Sequence, residues 1–279
     1  MRKLKLYLTR GGTLVLALAC VLSQARADVI SLTPARDTTL IEVAPDRNNG
    51  GEAWVNAGTT QNFTRNHGLF LFDIAAQIPA FSVINSVALI IEVTRQPRDG
   101  FSPSSFGLHR MLSSWGEGNK IAIDNNGGMG APASTDNTEA TWTHRFSPGI
   151  PWAAPGGAPG VDYDFAISAD QFIYGVGDSP YTFGSTAEMV ADAQVWLDHP
   201  QANFGWMLKG ESEGTDFTAR RFGSRDSPFP PVMLVDYTPV PEPGTLALGA
   251  VALVAVAAIL LWNRQAAPTT PLAAVPPSE

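Results

Sequence analysis

The sequence predicts an all-β protein, a β-sandwich of jelly-roll type with one short helix, lying between two hydrophobic ends. Short runs rich in β-branched and aromatic residues alternate with clusters of Gly, Pro, Asn and Asp. Several of these runs show the period of two that half-buried strands require. Many short strands punctuated in this way favour a sandwich or jelly roll.

Taken in order, the N-terminal segment comes first. "MRKLKLYLTR" is basic, "GGTLVLALACVLS" is apolar, and "ARA" ends at Ala27. That order describes a secretory signal peptide over residues 1–27, removed by signal peptidase so that Asp28 begins the mature chain. The apolar run is short for a permanent span. Cys20 raises lipoprotein processing, but Ala17 stands where a bulky aliphatic residue is usual. Cys20 is the only cysteine, so the exported part holds itself together without disulfides.

Residues 28–239 read as a single domain. They carry 12 basic and 24 acidic residues, a balance near −12 against −8 for the whole chain. Such a surface repels nucleic acid and anionic lipid, and suits divalent cations and neutral glycans.

The predicted strands are "TTLIEV", "EAWVNAG", "HGLFLFDI", "VINSVALIIEV", "SFGLHRML", "ATWTHRF", "YDFAIS", "FGWMLKG", "TARRFGS" and "VMLVDY". In "HGLFLFDI", Leu69, Leu71 and Asp73 point one way and Phe70, Phe72 and Ile74 the other. In "SVALIIEV", Val87, Leu89, Ile91 and Val93 share a face. The helix is "STAEMVADAQVWLDHP". Ser185 and Glu188 have capping-box spacing, Met189, Val190, Ala193, Trp196 and Leu197 share a face, and His199-Pro200 ends it. It is expected to cap one end of the sandwich, with Trp196 as a core plug.

"DNNGGMGAPASTDNTEA" and "FSPGIPWAAPGGAPGVDYD" read as long surface loops, where function often sits. Sugar recognition needs an aromatic face for the apolar C–H side of a pyranose, with polar groups for its hydroxyls. Trp115, Trp142 and Trp152 lie in or beside these loops, with Glu117, Asn119 and His144 near them in sequence. Trp115, Trp142, Trp152, Glu117 and His144 are the expected carbohydrate-binding residues, the alternative for Trp115 and Trp142 being to pack the loops onto the sandwich. Asp162 and Asp164 in "VDYDF" are the expected ligands if calcium is bound, since hard cations take oxygen. No other cofactor is expected. The four histidines show no metal-ligand spacing, and no nucleophile motif is present. With so many acids any glycosidase pair can be nominated, so none is.

At the other end, residues 244–262 carry no charge and amount to about 30 Å of helix, the thickness of a bilayer core. Trp262 suits the interface and Arg264 the cytoplasmic side. A transmembrane helix is therefore expected there, followed by a disordered Pro-rich tail over 265–279.

Val240, Pro241, Glu242 and Pro243, the apolar run and Arg264 together resemble the PEP-CTERM sorting signal, over 240–264. That resemblance implies a Gram-negative bacterium, recognition by a membrane-embedded exosortase, and an extracellular polysaccharide or biofilm setting. This chain has a single arginine where the signal has a cluster, and its tail continues past it. Within the exported part, "RDTTL", "NNGG", "TRNHGLFLFDI", "IPAFSVINSVALIIEV", "WGEG", "ATW", "VWLDHPQANFGWMLKG" and "RRFGSRDSPFPPVMLVDY" resemble, in this order, the DNRLRE-domain proteins. That resemblance implies a jelly roll related to carbohydrate-binding modules. Asp226 stands where the family's motif often has Glu.

The expected function is a non-enzymatic, exported, surface-tethered protein that binds or organises extracellular polysaccharide. The alternatives are a structural or adhesive surface protein without a glycan site, and a polysaccharide-cleaving enzyme.

Overall fold

A computed structural model describes residues 26–122, 128–240 and 243–265. The predicted signal sequence up to Ala25, Pro241 and Glu242, and the tail beyond Gln265 lie outside the described residues. Contacts divide the chain into a unit over Arg26–Pro239 and a second containing Val240 onward.

With strands numbered in chain order, the first unit contains two principal antiparallel sheets. The smaller runs β1 (Asp28–Leu32), β16 (Val232–Thr238), β6 (Val83–Ile91) and β13 (Tyr181–Phe183). The larger runs β12 (Tyr163–Ile173), β8 (Ser104–Met111), β14 (Trp206–Gly210), β5 (Arg65–Leu71), β4 (Trp54–Thr59), β15 (Arg220–Gly223) and β7 (Val93–Arg95). β2 (Arg36–Ile41) pairs with β5 as well. Two small ladders join β3 (Arg47–Asn48) to β9 (Ala131–Pro132) and β10 (His144–Phe146) to β11 (Ile150–Pro151). The all-β sandwich predicted from periodicity is the observed architecture.

The alternation explains how one chain fills two cores. Phe70, Phe72 and Ile74 enter the main core between the sheets, where Val87, Leu89, Ile91 and Val93 meet them. Leu69 points the other way, into a second core on the outer face of the larger sheet. Leu71 packs against that second core.

Helix α1 (Ala187–Asp198) packs on β6 and β12, and Met189, Ala193, Trp196 and Leu197 join the main core. The Trp196 and Trp206 rings meet at 4.6 Å and 62°. Buried Asp192 accepts hydrogen bonds from Ser168 Oγ at 2.5 Å and Trp206 Nε1 at 2.8 Å, fixing the helix to the sheet. The N-cap differs from the expected one. Thr186 Oγ1 accepts from Met189 N at 3.0 Å, whereas the Ser185 hydroxyl is taken by Val87 N at 3.1 Å. The helix ends where expected, as His199 N reaches Val195 O at 2.8 Å ahead of Pro200.

In the second unit, helix α2 runs for 23 residues over Pro243–Gln265. The side chains described in it are those of 249 and 251–261. Among the described residues no helix is long and apolar enough to cross a membrane. Pro243 opens α2 and Arg264 falls within its range, while Val240 is exposed ahead of it.

Candidate functional site

The tryptophans expected to face a sugar are core residues. Trp115, Trp142 and Trp152 are 2–4 % exposed and form the second core with Leu40, Leu69, Met111 and Met207. The stretch read as loose surface loops is thus a layer folded onto the larger sheet. Its indole N–H groups are spent on backbone: Trp115 Nε1 donates to Phe204 O at 2.8 Å and Trp152 Nε1 to Thr141 O at 2.9 Å. Gly156, at φ +82, presses on the Trp142 ring, and a side chain there would begin 2.6 Å from it. With both faces packed, these rings offer nothing to a pyranose.

The polar partners do not gather either. His144 Nδ1 meets the adjacent Thr143 Oγ1 at 2.9 Å. Glu117 accepts from Asp37 N at 2.9 Å and pairs with Arg225 Nε at 3.2 Å. Asn119 is exposed nearby.

Asp162 and Asp164 are likewise committed elsewhere. Asp162 Oδ2 accepts from Ala153 N at 2.9 Å and Ala158 N at 2.8 Å, closing its own loop. Asp164 accepts from Ala166 N at 3.1 Å and pairs with Arg110 at 3.1 Å. These contacts hold its carboxyl below the usual range, the backbone N–H contributing most. Among the described residues no three His, Cys, Asp or Glu stand close enough to hold a metal ion.

Three distant motif fragments do converge. Arg225 N donates to Asp37 Oδ2 at 2.6 Å, and Glu117 bridges both residues. "RDTTL", "WGEG" and "SRDSP" therefore meet in one cluster. Burial pushes Asp37 up to about 7, with the charges of Glu117 and Asp226 adding to the rise and the Arg225 N–H opposing it. Burial raises Glu117 too. The cluster joins β2 to the turns before β9 and β16, a structural task.

Beside the second core, ionisable side chains pair on the larger sheet's outer face. Near its middle, His67 Nε2 meets Glu213 at 2.6 Å and His109 Nε2 meets Glu211 at 3.1 Å. Their Nδ1 atoms face backbone carbonyls, Gly156 O at 2.8 Å and Asp164 O at 3.0 Å. Arg65 pairs with Glu42 at 2.5 Å and lies over Trp142 at 5.2 Å. Burial alone would raise Glu213, yet its hydrogen bond with His67 and the charges of Lys209 and Arg65 hold it low.

Along the β12 edge runs a row that the sequence reading left unassigned. Tyr163 lies opposite Met111 and Ile167 opposite His109, with a first bulge between them that carries the exposed Phe165. Past a bulge, Asp170 opposite Gly107 and Phe172 opposite Ser105 continue the row. Phe165 is 72 %, Phe172 46 % and Tyr174 53 % exposed. The Phe172 and Tyr174 rings meet edge to face at 5.0 Å. Asp170, which accepts from Ser105 Oγ at 3.1 Å, and Glu211 supply polar groups beside them. A longer period-two reading past Ser168, through "ADQFIY", is the signal that would have found it.

At the opposite end of the strand order, β7 and β15 border an open concavity of about 250 Å³. Arg221 lies over the Trp54 ring at 4.3 Å. Burial lowers Arg221 to about 10, and the like charge of Arg95 adds to the fall while Glu52 opposes it.

No family model matches this sequence, and no curated protein matches it significantly.

Proposed function

We propose that the chain is an exported, surface-tethered, non-enzymatic β-sandwich that binds extracellular polysaccharide through the β12 edge. The observation that carries this reading is the exposure of Phe165, Ile167 and Phe172 on β12 and of Tyr174 just past its end, beside Asp170 and Glu211. Several large apolar side chains exposed along one edge mark an interaction site. The strand itself runs for about 30 Å, long enough to lie along a polymer rather than a single sugar. Flanking carboxylates accept hydroxyl hydrogen bonds while the rings take the C–H faces.

Jelly-roll topology is supported by the pairing of the first strand, β1, with the last, β16, and by the ordered likeness to DNRLRE-domain proteins. Export is supported by the basic, apolar and Ala-x-Ala segments, and tethering by the uncharged run 244–262. The Pro-Glu-Pro motif supports exosortase processing of that anchor in a Gram-negative cell.

Affinity electrophoresis of the purified chain through gels containing neutral polysaccharides tests the reading. Phe172→Ala with Tyr174→Ala is expected to remove at least tenfold of any retardation, and Trp152→Phe to leave it unchanged. Retardation by no polymer, with self-association lost in the same double variant, would establish the adhesive alternative instead.

A further inference from the structure

The concavity at β7 and β15 is basic on an acidic protein. Arg221 stands directly opposite Arg95 in the ladder, and Arg98 lines the same concavity. Like charges placed opposite one another in a sheet destabilise it. Arg95 and Arg98 are exposed, and neither forms an ion pair among the described residues. Guanidinium groups match planar oxyanions with two parallel hydrogen bonds. Asn56 and Asn66 add amide groups to the lining, and Ile41, Val43 and Met129 give it apolar surface against which the carbon skeleton of a sugar chain can lie. Gly128, at φ +88, leaves the Arg221 guanidinium its room: a side chain there would begin 2.3 Å from Nη2.

We infer that this concavity is a second binding site, one that takes the oxyanion groups of an acidic polymer, carboxylate or sulfate, on Arg95, Arg98 and Arg221. It deepens the polysaccharide reading by adding a charge-selective site to the aromatic row. A chain of net charge −8 otherwise repels such a polymer, so local concentration of arginine is what permits contact.

The test is affinity electrophoresis of the full chain against polygalacturonate, dextran sulfate and neutral dextran at low and raised NaCl. Arg95→Gln with Arg98→Gln is the test variant. Arg36→Gln, an exposed arginine outside the concavity, gives the effect of each single positive charge lost elsewhere on the surface. The expected result is binding of at least one acidic polymer that weakens with salt. The double variant should lose at least tenfold of it and the control less than twofold. Which acidic polymer binds distinguishes carboxylate from sulfate. Binding of both acidic polymers within twofold of wild type in the double variant would overturn the inference, as would failure of either to bind at low salt. Retention of neutral-polymer binding that depends on Phe172 and Tyr174 would leave the aromatic-row reading standing while this one fell.

Discussion

Asp37 shows how burial turns a side chain into a pH-dependent cost. Its folded pKa near 7 stands above the ordinary value of 3.8. The native state therefore holds the proton more tightly than the unfolded chain. The resulting stabilisation is fully present below about pH 4 and is lost as the pH rises to about 7, on the order of a few kcal/mol at most. Asp37→Asn keeps an oxygen for Arg225 N and removes the titration. Melting curves at pH 5 and pH 8 should show a smaller fall for the variant than for wild type. At Asp162 the carboxylate serves two loop amides. Asp162→Ala should cost about 1–3 kcal/mol. Its melting temperature should be the same in calcium as in chelator, because the group is occupied by backbone.

At the scale of elements, α1 and the layer over the larger sheet are each seated by polar anchors. The N-cap of α1 is Thr186, whose hydroxyl also donates to Ser168 O. Thr186→Ala should cost about 1–2 kcal/mol and speed hydrogen exchange at the Met189 amide. Ser185→Ala should instead speed exchange at Val87, its actual partner. The covering layer is held by the buried indoles and by His67 on the Gly156 carbonyl. This leaves the β12 edge as the open part of the outer face. Its bulges blunt it against strand addition, while the rings remain available.

For the whole molecule, the proposal requires a sandwich outside the membrane and an anchor at 244–262. Expressed in a Gram-negative host, the full chain should sediment with membranes. A chain ending at Pro239 should appear in the soluble exported fraction with the same melting temperature, since Arg26–Pro239 is a compact unit of its own. Sedimentation of both forms alike would remove the tethering reading.

What the sequence determined by itself was local. Alternation in "HGLFLFDI" specified two faces, because side chains on a strand point in turn to opposite sides, and the fold used both. The helix and its buried face were legible for the same reason, although the cap fell one residue later than its spacing suggested. What only the tertiary structure decided was which aromatics are inside. Trp115, Trp142 and Trp152 lie in Gly- and Pro-rich stretches that look like surface, but an indole beside a flexible backbone is free to fold onto an apolar sheet face. Phe165 and Phe172 sit in a run that looks like core but are exposed on β12, an edge strand that sends Ala169 and Ile173 into the main core instead. The convergence of Asp37, Glu117 and Arg225, separated by 80 and 188 positions, could not be read from spacing. Long-range contacts are set by how sheets pair, and pairing is a property of the folded chain.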